Sequence, residues 1–226
     1  MTTPNRRRLS DQIPLGVECA LPQMPAPARP AARLMFCNKL SLRLSALATL
    51  AALLLLGHGL IAQATARLTQ TLLDRAWTRT LAGDREVKPW PFADAWPVAR
   101  LTLPEKNVSL YILAGPNVGA FGPGHLSGTA LPGEEGNSVI GGHRDTHLAF
   151  LRNVKSGSDL IVQRRDGTRR SYRVQAGEVL GEHETWVMKQ DGWTRMTLIT
   201  GYPFDALRAG GPQRYVVFAD AIKRRG

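Results

Sequence analysis

Cysteine is almost missing from this 226-residue chain, and the two present, Cys19 and Cys37, both precede its longest apolar run. Everything after that run lacks a thiol, which excludes a disulfide within that part and any cysteine chemistry carried by it. Acidic residues are also scarce, 18 against 29 Lys and Arg, for a formal charge of +11. Divided along the chain, the excess does not describe a polyanion-binding domain. Residues 1–43 carry seven basic residues against Asp11 and Glu18, whereas the part from Arg100 onward carries 17 basic and 12 acidic residues, a mildly basic globular surface. No partnership with nucleic acid is expected.

Charge of either sign is absent from Leu44 to Ala66. As a helix, that stretch would extend roughly 35 Å, enough to cross a bilayer. Gly57, His58 and Gly59 interrupt the run, but Ala64-Thr65-Ala66 is a weak cleavage signal, so an uncleaved anchor is expected. The basic excess before it places the N-terminus in the cytoplasm and the following domain outside. Residues 1–43 form a basic cytoplasmic tail, with Pro22, Pro25, Pro27 and Pro30 making residues 1–34 a disordered segment. Residues 44–66 form the transmembrane anchor. Residues 67–97 combine an amphipathic helix, with Leu68, Leu72, Leu73, Trp77 and Leu81 at three- and four-residue steps, and a linker broken by Pro89, Pro91 and Pro97. Residues 98–226 form the folded domain.

Within that domain the period changes to short apolar runs between turn residues. Strands are expected at Val98–Leu103, Val108–Leu113, Ser138–Gly141, Leu160–Gln163, Ser171–Val174, Met196–Thr200 and Tyr215–Ala219. Arg165-Asp166-Gly167-Thr168 predicts a hairpin turn. Its flanking arginines read as a solvated strand face, since no aromatic platform is interleaved with them. Short helical turns are expected near Thr146–Val154 and Glu184–Lys189, leaving a mainly β domain whose edges a closed barrel would hide.

Two places concentrate chemistry. Gly141-Gly142-His143-Arg144-Asp145-Thr146 follows an apolar strand, so a rigid sheet would present the imidazole at a loop. The second is Thr197-Leu198-Ile199-Thr200-Gly201-Tyr202-Pro203-Phe204 with the downstream Gly210-Gly211-Pro212-Gln213-Arg214-Tyr215-Val216-Val217. His143-Arg144-Asp145 matches the start of a kinase catalytic loop, but the Asn required five residues after the Asp is Phe150. The spacing of His143, Asp145 and His147 fits no strong metal motif. His125 and His183 read as surface or hydrogen-bonding residues, and Asp145 as a brace for its own loop through side-chain to backbone bonds. Tyr202, Pro203 and Phe204 are expected to shape a loop or substrate wall.

These strings, with Trp96-Pro97-Val98-Ala99-Arg100-Leu101, Phe121-Gly122-Pro123-Gly124-His125 and Leu131-Pro132-Gly133, resemble a sortase of the Gram-negative type, over about Trp90 to Ala219. The resemblance implies an eight-stranded β-barrel and a Cys-His-Arg site. A thiolate attacks the carbonyl after a sorting-motif threonine, and an amine later resolves the thioester. On this sequence the histidine is His143, which moves protons, and the arginine is Arg214, which steadies substrate or oxyanion. The nucleophile's position falls on Gly201, so the chain is expected to be an inactive form of the transpeptidase. The alternative is a noncatalytic module that binds sorting-signal proteins. Thr200 does not substitute, because alternate strand residues face opposite sides. The resemblance further implies an exported partner with a C-terminal sorting signal, an amine acceptor, a single-pass inner-membrane location with the barrel in the periplasm, and neither cofactor nor metal.

Overall fold

The structure, a computed structural model, describes residues 31–116, 118–206, 208 and 210–222. The expected disordered tail lies, up to Pro30, outside the described residues. Helix α1 (Ala31–Leu81) begins directly after that proline. Residues 31–34, read from the sequence as tail, are therefore helical. No proline or glycine follows until Gly57, and Ala, Leu, Arg, Met and Lys are all strong helix formers. Over Ser41–Leu81, α1 is long and apolar enough to cross a membrane. Its Leu44, Leu47, Leu50 and Leu54 stand exposed, an arrangement that suits hydrocarbon rather than water.

His58–Gly226 form one compact unit containing the last turns of α1 and all the strands. In this unit Leu73, Ala76, Trp77 and Thr80 are buried, one per turn or adjacent to it, while Leu68 and Leu81 remain exposed. The amphipathic stripe thus docks through its centre. Trp77 and Leu73 cluster with Ala95, Tyr111 and Leu113, and the Trp77 ring lies 6.0 Å from that of Tyr111. The Tyr111 hydroxyl donates a short hydrogen bond to Asp74 on the same helix. Gly83, at φ 109, follows the last turn, and its N–H and that of Asp84 close the carbonyls of Thr80 and Arg79.

The strands are β1 (Trp96–Leu103), β2 (Val108–Ala114), β3 (Gly124–His125), β4 (Asn137–Gly142), β5 (Asp159–Arg164), β6 (Arg169–Gly181), β7 (Arg195–Tyr202) and β8 (Gln213–Ala221). They close into an eight-stranded barrel in the order β1-β2-β3-β4-β7-β8-β6-β5. Pairing is antiparallel except at β2–β3 and β4–β7. Seven strands fall where the sequence places them. The eighth, β3, is two residues long, too short to leave a period of two. Single 3₁₀ turns at Ala149–Asn153 and Thr185–Met188 occupy the two expected helical insertions.

Alternation along the strands sets the core. Ala99, Leu101 and Leu103 of β1, Met196 and Leu198 of β7, and Val217 and Ala219 of β8 point inward to join Ile112, Ile140, Leu160 and Tyr172. The opposite face of β7 and β8 is covered as well. Ile199, Val216 and Phe218 pack beneath Val187 and Met188 of the 3₁₀ turn. Gly201 continues the outer row after Ile199, and Arg214 precedes Val216 in the outer row of β8.

The Asp166 carboxylate accepts from the Thr168 N–H at 2.9 Å, and Gly167 adopts φ 81, completing the expected hairpin turn. Arg173 pairs with Asp159 at 2.9 Å, and Arg164 lies near Glu134 and Asp166. This is the solvated, charge-balanced strand face expected from the sequence.

Candidate functional site

The parallel pairing of β4 with β7 brings together the chain's two chemistry-bearing strings. Gly141 lies opposite Ile199 and Gly142 opposite Thr200, so β4 releases its chain into His143 beside the end of β7. Antiparallel pairing of β7 with β8 then sets Gly201 directly opposite Arg214. The result is an open groove of about 580 Å³, lined by His143, Gly201 and Arg214 among others.

Each strand end is held by local bonds. The Thr200 hydroxyl, buried and turned away from the groove, donates to the Gly142 carbonyl at 2.8 Å. The Leu148 N–H donates to the His143 carbonyl at 2.9 Å, which folds the loop back under its imidazole. Leu148, itself fully buried, anchors that loop in the barrel core. His143 is exposed. Its ring lies 6.5 Å from that of His147, centroid to centroid. Burial, and secondarily the neighbouring His143, lowers the His147 pKa below its ordinary value; Asp145 opposes this. Asp145, expected to brace its loop by a side-chain bond, is exposed and acts instead through its charge on His147.

Arg214 donates through Nη1 to the carbonyls of Gly211 at 2.6 Å and Gln213 at 2.9 Å. Its Nη2 reaches Glu182 Oε2 at 3.1 Å. Gly201 presents no side chain. A Cβ built there would sit 3.1 Å from Arg144 Nη1, so Gly201 looks onto a guanidinium across the groove.

The aromatic residues after β7 pack against the barrel core rather than into the groove, with Phe204 and Tyr215 both seated on that core. The Phe204 ring packs edge-on against Tyr215 at 5.3 Å and Tyr202 at 6.2 Å, and Arg152 stands 5.3 Å over Phe204. The sequence expects Tyr202, Pro203 and Phe204 to shape a loop or substrate wall; Tyr202 and Phe204 pack with Tyr215 of β8, and none of these residues is among those lining the groove.

Two groove residues were not singled out by sequence. His125, expected from the sequence to be a surface or hydrogen-bonding residue, lines the groove from β3. Its Nε2 donates to the Ala130 carbonyl at 2.9 Å, which fixes the proton on that nitrogen in the neutral ring. Arg144, the middle residue of the His-Arg-Asp string, is the other. By contrast His183 lies outside, 95% exposed beside Glu182.

Comparison with known proteins identifies the family of this barrel. The Sortase domain family model matches residues 101–222, more than half the chain. The chain is 26% identical over 125 residues to sortase D of Bacillus subtilis, covering 54% of this chain and 62% of that protein's length. Sortase C-1 of Actinomyces oris superposes with a TM-score of 0.50 at 30% identity, over 56% of this chain and 73% of that one. Sortase C of Clostridium perfringens, solved with the C-terminal cell wall sorting motif, shares the fold with a TM-score of 0.51 at 19% identity, over 70% of this chain and 90% of that one. A closed eight-stranded barrel, a family match along most of its strands and a relative at 30% identity together make this chain a member of the sortase family.

Proposed function

We propose that this protein is a membrane-anchored sortase of Gram-negative type that binds a C-terminal sorting signal in the groove but forms no acyl-enzyme, because Gly201 occupies the nucleophile's position. The observation that carries this is the register of β7 and β8: Gly201 faces Arg214 across the strand pair, with His143 on the same groove. In the full reaction a thiolate at position 201 would attack a peptide carbonyl. The C–N bond would break, a histidine would protonate the departing amine, and a second amine would resolve the thioester. Here His143 remains to move a proton and Arg214 to steady the substrate, but no atom at position 201 forms the bond. The Thr200 hydroxyl is committed to Gly142 and faces away. The sorting motif bound by the Clostridium perfringens relative supports a peptide of that class in the groove.

The anchor belongs to the same proposal. The basic residues before α1's apolar stretch favour an N-terminus in the cytoplasm and a barrel in the periplasm, with an exported sorting-signal protein as partner. Protease added to spheroplasts then digests the barrel; a protected barrel with a digested N-terminus reverses the orientation.

The decisive experiment restores the missing atom. Mass spectrometry of Gly201→Cys incubated with a sorting-signal peptide is expected to show a covalent adduct that the unaltered protein lacks. Adding His143→Ala or Arg214→Ala should lower adduct formation by about 100-fold or more. A folded Gly201→Cys protein that captures no such peptide would overturn the transpeptidase ancestry of this groove, and capture by the unaltered chain would reveal a different nucleophile.

A further inference from the structure

Arg144 is a groove residue to which the sortase scheme gives no task, yet it makes three hydrogen bonds across the groove mouth. Its Nη2 donates to the carbonyls of Ala206, at 3.2 Å, and of Arg208, and its Nη1 reaches the Gly210 carbonyl at 3.5 Å. All three acceptors belong to the loop between β7 and β8, so a side chain from the end of β4 ties down the segment joining the two strands that carry Gly201 and Arg214. A guanidinium suits this task because its donors fan out in one rigid plane.

The same side chain fills the space before Gly201. A Cβ there would meet Arg144 Nη1 at 3.1 Å, Cδ at 3.4 Å and Cζ at 3.8 Å. The two groove arginines differ in what balances them. Arg214 is paired with the Glu182 carboxylate. Arg144 is held by neutral carbonyls, with no carboxylate at ion-pair distance among the described residues, and its guanidinium stands against position 201. The other titratable or charged groups lining this space are His125 from β3, His143 and Asp145 after β4, and Arg214 from β8.

We propose that Arg144 is a positioning residue that couples the β7–β8 loop to position 201: pinned by the loop's carbonyls, its guanidinium stabilises negative charge at that position. The proposal takes its meaning from the sortase reading of the groove but is measured without any peptide. Oxygen or sulfur bearing negative charge at position 201 would sit against Arg144 and farther from a cation already neutralised by Glu182.

The probe is a thiol installed by Gly201→Cys and titrated through its rate of alkylation by iodoacetamide across pH. Its midpoint is expected below the ordinary cysteine value of about 8.5. Adding Arg144→Gln, which keeps a hydrogen-bonding side chain without the charge, should raise the midpoint by about one unit, lowering the thiolate fraction several-fold near neutral pH. Arg144→Lys should keep the midpoint low, and Arg214→Gln should move it by less than half as much as Arg144→Gln. An unchanged midpoint in Arg144→Gln, or an equal shift from Arg214→Gln, overturns the proposal. The loop half is read in the chain with Gly201 intact. Arg144→Gln should speed amide hydrogen exchange in the β7–β8 loop while leaving β1 and β5 unchanged, and unaltered loop exchange also overturns it, whether or not the thiol variants fold. A midpoint that depends on Arg144 without peptide capture would sink the sortase-substrate reading alone; capture with a midpoint indifferent to Arg144 would sink this one alone.

Discussion

His147 reports the electrostatics of the groove from behind it. Its pKa is held below the ordinary histidine value first by burial, then by His143, with Asp145 pulling the other way. A depressed histidine pKa means that the unfolded chain takes up the proton first, so this group's contribution to stability is lost as pH falls below the unfolded value near 6.5. Titration by NMR is expected to place the His147 midpoint below 6.5, to raise it in His143→Ala and to lower it further in Asp145→Asn. A midpoint insensitive to both would remove the coupling of this pair. At this scale the sequence was informative where a residue's neighbours in the chain matched a family string: His143, Gly201 and Arg214 were named from such strings and line one groove. It was silent where a residue's role comes from a distant strand. His125 reaches the groove only through a two-residue strand, and Arg144 matters through carbonyls more than sixty positions away.

Asn137 ties the elements behind the groove. Nearly fully buried at the start of β4, it donates through its side chain to the carbonyls of Val187 at 2.8 Å and Lys189 at 3.2 Å, and accepts from the Thr197 hydroxyl at 2.8 Å. Its backbone also exchanges two bonds with the Gln190 amide. One side chain therefore joins β4, β7 and the 3₁₀ turn that covers the outer face of β7 and β8. Asn137→Ala would strand a buried hydroxyl and two carbonyls, at a cost of about 2 to 4 kcal/mol. The expected outcome is a lowered denaturation midpoint with unchanged slope, checked in urea; a loss below about 0.5 kcal/mol would mean that water replaces the amide.

Strand boundaries show where sequence period stops being informative. β1, β2 and β5 match the sequence reading to within two residues because one face is apolar and the other polar. β6 was read as Ser171–Val174 but runs from Arg169 to Gly181. Its second half, Gln175–Gly181, offers almost no apolar alternation, and it is a strand because β8 pairs with it, past a register shift between Val174 and Ala176, as far as Gly181. Gly177 within it makes room for Tyr215, which packs on the barrel core: a Cβ there would collide with the Tyr215 hydroxyl. Tertiary pairing, rather than local propensity, decides such a segment.

At the scale of the whole molecule, α1 has two parts of different character. Its charge-free stretch suits a membrane, whereas Leu73, Ala76, Trp77 and Thr80 are part of the compact unit beginning at His58. The three- and four-residue spacing of Leu68, Leu72, Leu73, Trp77 and Leu81 makes an amphipathic helix legible after the apolar run, but not which of its residues are buried. A fragment beginning at Arg67 is therefore expected to be soluble and to melt well above one beginning at Trp90, which exposes Tyr111, Leu113 and Ala95. In the longer fragment Trp77→Ala should cost about 3 to 5 kcal/mol.

Tyr111 gives this comparison a spectroscopic signature. Burial, then its bond to Asp74, raises its pKa to about 12 from an ordinary value of 10.0. Because the neutral phenol is favoured in the fold, its stabilising contribution is complete below pH 10 and is lost as pH rises from about 10 to about 12. Burial also raises the pKa of Tyr172 in the barrel core, so ultraviolet titration of the longer fragment should show both tyrosines ionising late, and Tyr111→Phe should remove one of the two. In the fragment beginning at Trp90, which has neither Asp74 nor the cover of Trp77, Tyr111 should ionise near its ordinary value. If the shorter fragment still shows two late-ionising tyrosines, one of them lost in Tyr111→Phe, the barrel alone buries Tyr111 and the end of α1 is dispensable to the fold.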